Sequence, residues 1–194
     1  MANVRPFYSP FLRTPLTPAF VAGSEKSVLW LVVFLCCCRI SRLKLPCSSA
    51  IIEDIMGLRE AGSAKLAYYY CDFRDEDKQN CRNLLLSIVS QLCAQSDLCC
   101  DILSPIYSSH DNGARKSSDG ILTKCLTEML SLPAQGPIYL IVDALDECPN
   151  HSGMPTPREE VLNLVNDLVD LHLPNLHICV TSCRRSTYKP LSTL

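Results

Sequence analysis

The chain is predicted to fold as an α/β domain, a mostly parallel sheet covered by helices on both faces. Three observations carry that prediction. Ile138–Val142 is a continuous apolar run, the pattern of a strand buried on both faces, and Leu176–Thr181 reads as a second buried strand. Amphipathic stretches at 80–95, 121–132 and beyond Thr156 carry apolar side chains at helical spacing. The two kinds of segment alternate along the chain, the order that builds a parallel sheet.

Residues 1–22 hold Pro6, Pro10, Pro15 and Pro18 without periodicity and read as an irregular leader. Val28–Cys38 is eleven apolar residues without a break. A membrane span needs about 20, and Arg39, Arg42 and Lys44 end this run early. The run also lies 27 residues into the chain with its basic cluster behind it, the reverse of a signal peptide. A buried strand or a sequence artefact is therefore preferred to a membrane role. Ser48–Met56 is expected to be a short helix with Ile51, Ile52, Ile55 and Met56 on one side and Gly57 as its stop.

Lys65–Phe73 is aromatic and apolar, then turns acidic at Asp75-Glu76-Asp77, and is expected to be a strand. Asn80–Gln95 sets Leu84, Leu85, Ile88, Val89, Leu92 and Cys93 against Arg82, Asn83, Ser87 and Gln91, the strongest helical pattern in the chain. His110–Ser118 reads as a loop, Ile121–Leu132 as a helix, and Pro133–Pro137 as the lead into the strand at Ile138. After a loop from Asn150, Thr156, Pro157 and Glu159 supply an N-cap, an N1 proline and an N3 acid. That helix continues through Val161, Leu162, Val165, Leu168 and Val169, and Leu176–Thr181 is the last strand.

The 194 residues suffice for one domain with its own core. Eighteen basic against 20 acidic side chains leave a formal charge of −2, so no bulk attraction to nucleic acid or anionic membrane is expected. Thirteen cysteines form neither a CxxC pair nor a zinc-spaced set with histidine, and most lie in apolar runs. A reduced, cytoplasmic protein is expected, rather than a disulfide framework.

The most telling segment is Ile138-Tyr139-Leu140-Ile141-Val142-Asp143-Ala144-Leu145-Asp146-Glu147-Cys148. Its carboxylates would lie at the carboxyl end of a buried strand, where open α/β sheets bind ligands. There Asp143 would hold Mg²⁺ through its water shell, and Asp146 or Glu147 would orient an attacking water. This is a Walker B pattern; the plainer alternative is a strand followed by an acidic turn.

The segments YYYCDFRDEDKQNCRNLLLSIVSQLC, PIYLIVDALDECP and LPNLHICVTS, in that order and with these loop lengths, resemble the NACHT-type NTPases of fungi. These are signal-transducing P-loop proteins related to the nucleotide-binding modules of innate immune receptors. The resemblance covers residues 47–183. It implies a P-loop NTPase-like three-layer fold, incomplete at its C-terminal end, with a five-stranded parallel sheet and a phosphate loop after the first strand. It also implies Mg²⁺ with ATP or GTP as cofactor, Asp143 as the magnesium-associated acid, and Asp146 and Glu147 as water-positioning candidates. Ser182 would be a polar sensor beside the γ-phosphate. The family usually has Arg directly after that serine, whereas here Cys183 precedes Arg184, and Arg184 and Arg185 read better as surface charges.

The phosphate loop departs from its pattern. GxxxxGK[ST] needs its glycines so that backbone N–H groups can wrap phosphate. The nearest match is Phe20–Ser27: Gly23, Ser24, Lys26 and Ser27 are the nucleotide-binding candidates, Ser27 also for the metal. Phe20 and Glu25 occupy the two required glycine positions, and no glycine occurs between Ser24 and Met56. In a second register Val28–Leu31 is the first strand and Lys44 stands near the lysine position. Residues 30–46, 17 in number, read as an insertion or as untranslated sequence kept in a gene model, which sequencing the transcript would test. The expected organisation is a leader over 1–22 and a partial NTPase domain over 23–194. Its function would be nucleotide binding in a signalling NTPase, impaired in binding and hydrolysis, with self-association or effector-domain proteins as partners. The alternative is a non-enzymatic, truncated remnant or interaction domain that keeps only the fold.

Overall fold

A computed structural model describes residues 47–109, 117–151 and 153–182. Its elements are α1 (Cys47–Glu60), β1 (Lys65–Tyr70), α2 (Cys81–Cys93), α3 (Asp97–Ser109), α4 (Asp119–Leu130), β2 (Ile138–Asp143), α5 (Pro157–Asp170) and β3 (Leu176–Val180). Short 3₁₀ turns cover Glu76–Gln79 and Leu145–Glu147. The leader, Val28–Cys38, the segment 30–46, Gly23–Ser27, Lys44, Arg184 and Arg185 lie outside the described residues.

The fold is α/β. Among the described residues the sheet has three strands in the order β1-β2-β3, both pairs parallel. Side-chain alternation divides the core into two layers. Ala67, Tyr69, Leu140, Val142, Ile178 and Val180 face a large cluster with α2, α4 and α5. Leu66, Ile141 and Cys179 face Ile52 and Ile55 of α1. Helices thus cover both faces, as the continuous apolar run of β2 requires.

Two boundaries and one helix differ from the sequence expectation. α1 does not stop at Gly57; it runs to Glu60, and the left-handed residue that closes it is Gly62, with φ +67°. Gly62 N–H reaches Arg59 O at 2.9 Å and Ser63 N–H reaches Leu58 O at 2.9 Å, a Schellman closure. β1 ends at Tyr70 rather than Phe73, because its partner ends where Asp143 pairs with Tyr70. α3 is announced by no sequence signal: its thirteen residues carry Pro105 in the interior, which breaks the helical hydrogen-bond pattern.

Candidate functional site

The carboxyl ends of β2 and β3 are stitched together by one side chain. Thr181 follows β3, is buried, and donates its hydroxyl to a carboxylate oxygen of Asp143. The same oxygen, Oγ1, accepts the N–H of Ala144 at 3.0 Å. Backbone bonds flank it: Thr181 N–H to Val142 O and Leu145 N–H to Thr181 O, both 2.9 Å. Between them the chain must reverse from strand into the 3₁₀ turn, and Ala144 does so in the left-handed region at φ 57°, ψ 44°.

The acidic turn is held from two further sides. Phe73 N–H donates to Glu147 Oε2 at 3.2 Å, tying the exit of β1 to the turn. From the first turn of α5, Arg158 Nη2 donates to Asp146 O at 2.6 Å and Cys148 O at 2.8 Å. Its Nε is buried with no hydrogen-bond partner. Beneath the turn lie the free thiols of Cys71 and Cys148, both buried. The contact with Cys148, reinforced by burial, pushes the Cys71 thiol up. The neighbouring Cys71 thiol and the nearby Arg158 charge hold Cys148 below its ordinary value, against the effect of its burial. The Asp143 charge adds to burial in raising the Tyr70 phenol, and does the same to the Cys179 thiol, pushed up to about 11.

Of the residues singled out from sequence, Asp143, Asp146, Glu147 and Ser182 fall at this one end of the sheet, on the β2 turn and just after β3. Thr181 was read only as the strand end beside the Ser182 sensor, not as a partner of Asp143, and Arg158 was not singled out. A threonine closing an apolar strand and an arginine in a first helical turn carry no signal until β3 and α5 are packed beside β2. Gln91 belongs with them: read as part of a polar face, it instead bonds the backbone of Tyr68.

Among the described residues no three His, Cys, Asp or Glu side chains converge to hold a metal ion. Mg²⁺ at a nucleotide is commonly held by one or two carboxylates, with phosphate oxygens and water completing the shell. A half-buried Asp143 beside a threonine hydroxyl is a donor set of that kind. No described helix is long and apolar enough to cross a membrane.

No curated protein matches the chain. A solved structure of Drosophila ORC bound to AT-rich DNA and Cdc6 aligns with 71% of this chain and 46% of its own, at 16% identity and a TM-score of 0.28. The chain therefore spans less than half the length of that structure. The family model for the N-terminal part of nephrocystin 3 matches residues 12–183, most of the sequence. On that match the chain belongs to the nephrocystin 3 N-terminal family.

Proposed function

We propose that this chain is a nucleotide-binding module of a NACHT-type signalling NTPase, taking ATP or GTP with Mg²⁺, with impaired binding and hydrolysis. The observation that carries this is the placement of Asp143, Asp146 and Glu147 at the carboxyl end of the central parallel strand, beside Thr181 and Ser182. Crevices at strand carboxyl ends are where open α/β sheets bind ligands. In this proposal Asp143 holds the metal's water shell, and Asp146 and Glu147 are the candidates to orient the attacking water. Ser182 meets the γ-phosphate, and Gly23, Ser24, Lys26 and Ser27 supply what remains of the phosphate loop. The metal, when bound, offsets charge on the β- and γ-phosphates. The protein is cytoplasmic and works with copies of itself or with effector domains.

A second reading is a non-enzymatic module that keeps the fold without the chemistry. It is favoured by Phe20 and Glu25 at the two glycine positions and by the lack of glycine between Ser24 and Met56.

Binding of fluorescent ATP and GTP analogues in the presence of Mg²⁺, beside Lys26→Ala and Asp143→Ala, separates the two. Micromolar binding lost in both variants supports the nucleotide-binding reading and its divergent loop. Loss on Asp143→Ala alone moves the phosphate site to another lysine, Lys44 first. A folded protein that binds neither analogue overturns the nucleotide reading in favour of the second.

A further inference from the structure

In a parallel pair each residue turns both its N–H and its C=O to the same side, and successive residues alternate. Lys65 N–H and Cys71 N–H point toward the β2 side, reaching Pro137 O at 2.8 Å and Asp143 O at 3.0 Å. The backbone groups of Leu66, Tyr68 and Tyr70 therefore face the other way, and no described strand pairs with that edge.

Two side-chain amides of α2 take the place of a strand. Gln95 Oε1 accepts Leu66 N–H at 3.0 Å while its Nε2 donates to Leu66 O at 2.7 Å. Gln91 repeats the pattern one rung on, accepting Tyr68 N–H at 3.1 Å and donating to Tyr68 O at 2.8 Å. The two lattices are commensurate: four helical residues rise about 6 Å and two strand residues about 6.6 Å. Ser87, one further step along the same helical row, is too short for a third rung, and its hydroxyl accepts from Gln91 Nε2 at 3.0 Å instead. A groove of about 340 Å³ opens there, lined among others by Tyr70, Lys78, Ser87 and Arg59.

The edge so covered is a hazardous one. KLAYYY has high β propensity, one charge, and neither glycine nor proline, the composition of segments that pair with copies of themselves. Natural sheets guard such edges with charge, proline, bulges or a cover. We propose that Gln91 and Gln95 act as a side-chain strand that closes the β1 edge, and that its removal lets β1 of a second copy of this chain add there.

The test compares the full chain with Gln91→Met, Gln95→Met and the double variant, which keep side-chain length and remove the amides. Amide hydrogen exchange is expected to respond rung by rung. Gln95→Met speeds Leu66 and leaves Tyr68 protected, and Gln91→Met does the reverse, each by roughly tenfold for the lost bonds. In sedimentation velocity the double variant is expected to associate more than the unsubstituted chain, and adding Tyr70→Lys, a charge on that edge, to reverse the gain. A folded double variant that associates no more than the parent overturns the proposal, as does association that Tyr70→Lys leaves in place. Should the double variant not fold, the single variants decide: exchange that rises at neither rung, or at both alike, overturns it.

Discussion

Thr181 and Asp143, 38 residues apart in sequence, form one unit: the threonine hydroxyl donates to the aspartate carboxylate and accepts the N–H of Ala144 at 3.0 Å. Thr181→Val keeps the shape and removes both bonds, leaving a half-buried N–H and carboxylate without this partner. An expected loss of about 1–3 kcal/mol follows from unmet buried polar groups. Thr181→Ser, which keeps the oxygen, should lose less. Urea denaturation measures both, and equal losses would assign the effect to the methyl group instead.

Ala144 pays for its left-handed conformation at φ 57°, because its Cβ crowds the backbone there. Ala144→Gly relieves that crowding but gives the unfolded chain more freedom, so a net gain of up to about 1 kcal/mol is expected. Ala144→Val, β-branched, should destabilise. A lower denaturation midpoint for the glycine variant would show that the turn needs the alanine methyl.

The start of α5 is closed by a reciprocal pair, Glu159 N–H to Thr156 Oγ1 at 3.3 Å and Thr156 N–H to Glu159 Oε2 at 2.8 Å. Thr156→Ala should cost about 1 kcal/mol in thermal or urea unfolding. The hydrogen bond from Thr156 N–H, then that from its hydroxyl, hold the Glu159 carboxyl below its ordinary value. A depressed carboxyl stabilises the fold above its unfolded value, and that contribution is lost as pH falls through the folded one. Glu159→Gln should therefore flatten the acid limb of the stability profile; an unchanged limb would contradict this.

His177 stacks on Tyr139 across the β2–β3 pair, with ring centroids 4.8 Å apart and planes 20° from parallel. Burial holds the imidazole below its ordinary value. The unfolded chain then takes up its proton first, so stability is complete above about pH 6.5 and declines as pH falls toward the folded value. Melting temperature between pH 7.5 and 5 should fall less for His177→Phe than for the parent. A slope identical in both would remove His177 from the profile.

Much of the fold could be read before any packing was known. The strand patterns of β2 and β3, the stripe of α2 and the Thr156–Glu159 box are local patterns, decided by side chains two to four positions apart. The carboxylates of the candidate site were legible for the same reason: they stand together at the end of a strand. The sequence could not tell which glycine ends α1, since Gly57 and Gly62 are both admissible stops and only the chain's turn back toward β1 selects Gly62. Nor did it announce α3, whose interior proline argues against a helix until contacts with α2 and α4 support it. The same holds for Gln95 on Leu66, Arg158 on the acidic turn and Thr181 on Asp143, where one polar side chain serves backbone or carboxylate across 10 to 38 residues. Periodicity determined the elements because each hydrogen-bonded turn and each pleat is a near-neighbour event. The partners of these polar groups were decided by tertiary structure, because only packing the helices onto the sheet brings such donors and acceptors within 3 Å and makes leaving them unpaired costly.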